Sequence, residues 1–305
     1  MNVRAGDGDD FARALGRQVA RHGDRPLVTW YGAEPGERVE LSWKTFANWV
    51  AKTANLLVEE LGVQPGDRVA TLLPAHWQEP VVLVACWLAG ATAVPIGRGV
   101  PRDAATAMLA ASGCHVAFVH EELLAEATSR LGTDRLPAGV PRPALVAITA
   151  DLLGRGAGDL GDALPFARAV TAMPDHFDPE ERYHQAEALL IAAQGGRTWS
   201  QGELLAEGAH LAGRLGVSDA DRLYSGLGLV TPAGVTAGLA LPLAAGVGVV
   251  LEAAFRPDRL WRRLAEERVA LALVRPDQAR ALDGQARPEG LDLSRLREIR
   301  SAEGW

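Results

Sequence analysis

The chain has 305 residues, 48% of them hydrophobic, with 31 basic against 38 acidic side chains and a formal net charge of −7. That length allows about two domains and a sizeable core. The acidic balance without a basic run excludes a nucleic-acid partner, and no apolar run approaches the roughly 18 residues of a membrane span.

Residues 1–24 place Phe11, Leu15 and Val19 at helical spacing and carry acidic residues where a secretory leader is basic, so a lead-in helix and a cytoplasmic location are expected. Residues 25–135 read as a first α/β unit. Within it, "FANWVAKTANLLVEELGV" is an amphipathic helix ending at Gly62, a left-handed turn position. A turn at Asp67-Arg68, a short apolar strand, a long apolar segment closing on Ala89-Gly90, and the strand "AVPI" follow. Cys86 and Cys114 lie in this unit, far apart, and read as small buried hydrophobes. Residues 136–187 form a Pro- and Gly-rich linker with one strand at "ALVAIT".

Residues 188–305 form a second unit that repeats the first: a helix to Gly216, Asp221-Arg222, a strand, an apolar segment closing on Ala245-Gly246, and "GVVL". Each copy continues into one more helix and strand, "AATAMLAASGCHVAFV" and "PDRLWRRLAEERVALALV". Apolar strands alternating with helices predict an α/β fold of two similar subdomains, each with a mainly parallel sheet flanked by helices.

Several short motifs invite a chemical reading. "GAGDLG", Gly156 to Gly161, satisfies G-x-G-x-x-G, yet no strand leads directly into it and no helix opens on its last glycine, so a loop is expected. His115 and His120 flank a strand at an odd separation and point to opposite faces, which predicts surface or capping positions and no shared metal. In "DHFDPEERYHQAE", Asp178-Pro179 ahead of Glu180 and Glu181 reads as a helix N-terminus. No G-x-S-x-G, H-E-x-x-H or Walker sequence is present, so hydrolase-elbow, zincin and P-loop readings have no support.

The stretch "ALLIAAQGGRTWSQGELL", residues 188 to 205, has a buried strand's composition, then Gly195-Gly196, then a helix start near Ser200. Amides at such a turn, next to a helix dipole, suit an anion. The side chains within reach are Arg197, Thr198 and Ser200; beyond residue 52 the chain has no lysine at all. The alternative is a plain strand–turn–helix connection.

"LSWKTFANWVAKTANLLVEELGVQPGDRVATLLP", "CWLAGATAVPIGRGVP" and "SGCHVAFV" resemble the opening of the AMP-binding, adenylate-forming superfamily of acyl-CoA synthetases, luciferases and peptide-synthetase adenylation domains. "WSQGELL", "LGVSDADRLYSGLGL", "LALPLAAGVGVVLE" and "LDLSRLREIRSAEGW" continue the likeness in order. More narrowly, the chain is similar to a small actinobacterial family of stand-alone proteins. The resemblance implies a truncated acyl-CoA synthetase N-terminal domain and ATP or AMP as the nucleotide. It aligns "AAQGGRTW" with the family's phosphate loop, shortened and without its Thr, Ser and Lys. It aligns Val230-Thr231 with the aromatic–His pair of the substrate pocket, and Val274-Arg275-Pro276-Asp277 with the pocket strand. On this alignment the chain stops at Trp305, ahead of the Mg-holding glutamate, the ribose-binding aspartate and the carboxylate-contacting lysine.

A catalytically silent form is therefore expected, holding a nucleotide or acyl ligand between the subdomains through Gly195, Gly196, Arg197, Thr198, Val230, Thr231 and Arg275. Arg275 either pairs with a ligand carboxylate or reaches solvent. Two other readings stand beside this one: an acyl-adenylating ligase completed by a separate partner chain, and an interaction scaffold that binds a protein partner or a second copy.

Overall fold

Strands that are apolar on both faces need a hydrogen-bonded neighbour on each side and helices above and below. The computed structural model, which describes residues 10–97, 100–130, 142–149, 160–179, 187–191, 197–283 and 288–302, meets that need with two sheets. The chain opens with α1 (Phe11–His22), the hairpin β1 (Pro26–Tyr31) and β2 (Arg38–Ser42), and α2 (Trp43–Asn55). It continues through β3 (Arg68–Leu72), α3 (Gln78–Leu88), β4 (Thr92–Pro95), α4 (Arg102–Ser112), β5 (Val116–His120), α5 (Glu121–Arg130), β6 (Ala144–Ile148), β7 (Leu164–Pro165) and α6 (Phe166–Thr171). A second hairpin, β8 (Glu187–Ile191) and β9 (Arg197–Ser200), leads into α7 (Gln201–Arg214), β10 (Arg222–Ser225), α8 (Pro232–Val235), α9 (Leu241–Ala245), β11 (Gly248–Glu252), α10 (Pro257–Glu266), β12 (Leu271–Val274), α11 (Pro276–Asp283) and β13 (Glu298–Ser301).

The repeat holds down to single hydrogen bonds. Gly62 and Gly216 take φ of 65° and 58°, and Gly90 and Gly246 take 74° and 75°, the left-handed values an L side chain resists. In the turns between, Asp67 Oδ2 accepts from the Gln64 amide at 2.8 Å, and Asp221 Oδ2 from the Ser218 amide at 2.9 Å.

Strand order reads β7-β6-β5-β3-β4-β8-β9 in one sheet and β13-β12-β10-β11-β1-β2 in the other. Each hairpin thus completes the sheet of the opposite copy. β1 runs parallel to β11, with Val28 opposite Val249, and β8 runs parallel to β4, with Leu189 opposite Ala93. Sheet membership therefore cuts across the chain division at 25–135, 136–187 and 188–305. Residues 26–42 belong with the second unit, 187–191 and 197–200 with the first, and β6 and β7 from the linker extend the first sheet. The physical reason is the open edge of β4 and of β11: both strands are apolar and buried, and each accepts the strand that lies nearest in space.

Helices α4 and α5 cover the outer face of the first sheet, with Leu109 and Leu124 against Ala117 and Val119. Helices α10 and α11 cover the outer face of the second, with Leu260, Leu264 and Leu282 against Tyr224 and Ala272. One core lies between the sheets, where Phe11, Phe46, Val84, Leu204, Leu211 and Leu241 from α1, α2, α3, α7 and α9 join Val69 and Val116 to Leu223 and Leu271. The α7 contact is close enough to require glycine: a Cβ on Gly208 would lie 2.4 Å from the carbonyl carbon of Ala240. Both cysteines are free and buried, as expected.

Trp87 joins the exchanged strand to the core. Its ring lies 4.1 Å from that of Phe11, and its Nε1 donates to the carbonyl of Ala188 on β8 at 2.7 Å. Gln201 donates to the Trp87 carbonyl at 2.9 Å and accepts from the Phe11 amide at 3.2 Å. Trp87→Phe keeps the ring but orphans the Ala188 carbonyl, and is expected to destabilise by about 1–3 kcal/mol. Denaturation followed by tryptophan fluorescence and far-UV circular dichroism should still give one coincident transition, because neither sheet is complete without the other copy's hairpin.

Candidate functional site

In both sheets the parallel strands deliver their carboxyl ends to connecting loops, the usual address for ligands in open α/β sheets. There Gly97, just past β4 of the first sheet, meets Val230, which follows β10 of the second: a Cβ on Gly97 would sit 3.2 Å from Val230 Cγ2. This close approach is where the two sheets touch through their loops.

The residues expected to form one site are divided between two cavities. A cavity of about 680 Å³ takes Arg197 and Trp199 from β9, Glu203, His210 and Arg214 from α7, and Thr231 ahead of α8. Arg197 stacks its guanidinium 4.8 Å from the centre of the Trp199 ring. Arg275 lines a different cavity, of about 210 Å³, with His76, Glu79, Tyr224 and Ser225. Gly195 and Gly196 lie outside the described residues, as do Gly156 and the segment after Pro179 read as a helix start.

Three of the polar side chains expected to bind a ligand, Ser200, Thr231 and Arg275, are hydrogen-bonded within the protein. Ser200 caps α7: its Oγ accepts from the Glu203 amide at 3.2 Å, while the Glu203 carboxylate accepts from the Ser200 amide at 2.7 Å, and these bonds lower its pKa. Thr231 caps α8, its Oγ1 accepting from the Gly234 amide at 3.1 Å. Thr198 pairs with Leu190 in the hairpin, so the short strand β9 precedes α7, which starts after its N-cap Ser200, where a helix start was expected. The "RTWS" segment holds a β-branched and an aromatic residue side by side, both suited to a strand, and pairs with β8. Arg275 forks onto Asp277 at 3.1 Å and donates to the Gly226 carbonyl at 3.0 Å; its side chain is 46% exposed.

Sequence reasoning missed the buried group behind Arg275. His76, 4% exposed, packs against Trp30 at 4.9 Å and against His120 at 6.3 Å between ring centres. His120 is itself 6% exposed, which corrects its assignment to the surface or a cap: β5 is covered on both faces, so no position on it reaches water. Burial, and after it His120, lowers the pKa of His76 to about 3; burial raises that of Glu79 to about 8. Among the described residues, no three His, Cys, Asp or Glu side chains gather as a metal site, and no helix is long and apolar enough to cross a membrane.

Comparison with known proteins agrees with this geometry. A family described as "AMP-binding enzyme" matches residues 15–162. A TIGR03089 family protein of Mycobacterium tuberculosis is 35% identical over 249 residues, covering 81% of this chain and 91% of that one. Acetyl-coenzyme A synthetase of Streptomyces avermitilis is 39% identical over 90 residues, 30% of this chain and 14% of the enzyme. Among solved structures, the N-terminal domain of FACL13 from Mycobacterium tuberculosis superposes with a TM-score of 0.79 at 18% identity, covering 95% of this chain and 69% of that one. An acyl-CoA synthetase from Brucella canis superposes at 0.81 and 20%, covering 98% and 54%.

The buried acid has a pH signature. Unfolded, the Glu79 carboxyl ionises near 4.5; folded, it keeps its proton to about 8. Wild-type stability therefore falls as pH climbs through that window, at up to about 1.4 kcal/mol per pKa unit. Glu79→Gln lacks the penalty, so its melting-temperature advantage should grow between pH 5 and pH 8. An advantage independent of pH would contradict the assignment.

Proposed function

Because the chain belongs to the AMP-binding, adenylate-forming family, we propose that it is a catalytically silent form of that fold, which holds a nucleotide monophosphate or acyl ligand in the cavity of Arg197 and Thr231 without adenylating it. The observation that carries this reading is the internal engagement of Ser200 and Thr231, together with the absence of lysine from residues 188–205, aligned with the phosphate loop.

Attaching a carboxylate to an α-phosphate with loss of pyrophosphate builds negative charge that cations and preorganised donors must meet. Losing one such donor commonly costs about 100- to 1,000-fold in rate. In the cavity, Arg197 and Arg214 stand against Glu203 and Glu207, so the charges of its walls cancel. That balance does not fit a magnesium triphosphate. It does fit a ligand with one phosphate or none, with the Trp199 ring as an apolar wall.

Pyrophosphate exchange with ATP, magnesium and a panel of carboxylates is expected to stay at the blank rate; exchange by the purified chain alone overturns the proposal. Exchange that appears only with an added partner chain would favour the two-chain ligase. In a thermal-shift screen, AMP or an acyl-AMP mimic should raise the melting temperature by several degrees, and Arg197→Ala should abolish the rise.

A further inference from the structure

Two helices hold corresponding places in the duplication, α2 ahead of Gly62 and α7 ahead of Gly216. The first carries α6 and the segment after it. The Trp49 ring lies 6.4 Å from that of Phe166, Lys52 donates to the carbonyls of Thr171 and Met173, and Asn55 donates to those of Pro174 and His176 at 3.0 and 2.9 Å. On α7, by contrast, Glu203, Ala206, Glu207, His210, Gly213 and Arg214 stay exposed.

At about 100° per residue, Glu203, Glu207, His210 and Arg214 form one row along α7, acidic toward its N-terminus and basic toward its C-terminus. The helix dipole accounts for Glu203 in the first turn and Arg214 in the last. It does not account for Glu207 and His210 between them, and like charges four residues apart, as at Glu203 and Glu207, disfavour a helix. Within the chain this row is barely paired. Glu203 uses only Oε2, on Ser200, and Glu207, His210 and Arg214 make no hydrogen bond or ion pair among the described residues. Gly213 is a second signal. Glycine costs a helix interior about 1 kcal/mol against alanine, and Gly208 owes its place to the Ala240 backbone, whereas a Cβ on Gly213 would meet nothing within 4 Å. Inside the chain nothing requires glycine there; a second helix lying close would.

The row is its own complement. In a second copy of α7 turned antiparallel about a two-fold axis between Gly208 and Ala209, Arg214 falls opposite Glu203 and His210 opposite Glu207, and each contact occurs twice. The His210 ring offers an N–H to the carboxylate in either protonation state. Ala206 and Gly213, beside the row, let the two backbones approach. A purely acidic or purely basic partner would match half of the row and oppose the other half.

We propose that two copies of the protein associate through antiparallel α7 helices, with Glu203–Arg214 and Glu207–His210 contacts across the two-fold axis. The exposed positions of α7 fall short of the roughly 20–30 residues a side of a standard interface, so the dimer is weak, with a dissociation constant on the order of 10–100 μM. The row also forms one wall of the larger cavity, yet the association does not rest on the nucleotide or acyl reading.

Sedimentation velocity on the full chain at about 5 to 500 μM, a range that brackets this affinity, should show a monomer–dimer equilibrium that about 1 M salt weakens. Glu203→Arg alone and Arg214→Glu alone each set like charges face to face and should weaken association by about tenfold or more. Mixed in equal amounts, the two variants should associate as wild type does, because both unlike pairs re-form in the mixed dimer; damage to the fold could not be repaired that way. Gly213→Gln should weaken association without lowering the melting temperature. Only monomer at the highest concentration, a dimer indifferent to both charge reversals, or a mixture no better associated than its parts overturns the proposal.

Discussion

The open edges of β4 and β11 govern this molecule. Both strands lie inside a parallel sheet, are apolar on both faces, and need backbone partners on both sides. Each finds its outer partner in the hairpin that begins the other copy, so the two halves of the duplication are bound by reciprocal strand exchange. The exchanged hairpins are held by side chains as well. Trp87 and Gln201 join α3, α7 and β8 inside the core. On the outer face of the second sheet, the buried Glu267 carboxylate accepts from Arg38 of β2 and Arg222 of β10, both at 3.1 Å. Removing either arginine would leave that carboxylate buried with less compensation, the costly half of a buried ion pair.

Strand exchange also determines where ligands can go. Because the hairpins bring the sheets face to face across one shared helical core, the loops at the carboxyl ends of both sheets meet, as Gly97 and Val230 do. The smaller cavity opens against those loops, and the larger lies beside α7. The larger has Arg197 and Arg214 opposite Glu203 and Glu207 on its walls, and its Thr231 hydroxyl caps α8. The smaller has its ionic groups paired within the protein, Glu252 with Arg263 and Arg275 with Asp277. Capping hydroxyls stabilise α7 and α8, whereas the buried, unpaired polar atoms of His76, Glu79 and Ser225 lower stability.

Much of this was legible along the chain. Gly62, Gly90, Gly216 and Gly246 mark positive-φ turns at matching places in two copies, and the apolar runs between them could only be buried strands and helices. Ser200 with Glu203 three residues on is a capping pattern, and the structure makes it a reciprocal cap. Other features gave no local signal. "RTWS" is too short to be separated from a turn by periodicity, and becomes a strand because β8 has an edge to fill. His120 carries a polar side chain at the end of an apolar run, where a surface position and a buried one look alike until the covering layer is known. Glu79 opens a helix, where an acid normally faces solvent and the helix dipole; here helix α3 is covered on every side.

The sequence by itself determined the local elements, the duplication, the family, and the poverty of the phosphate loop in cations, because each of these is a matter of residue type at a given spacing. Only the tertiary structure decided which sheet each hairpin completes, which hydroxyls are spent on caps, and that His76, Glu79 and Ser225 are buried. Those outcomes depend on contacts between residues as far apart in the chain as Val28 and Val249, set by burying two sheets against one core. Hydrophobic burial is non-directional along the chain, so a sequence pattern states which residues must be covered and leaves the choice of partner to the fold.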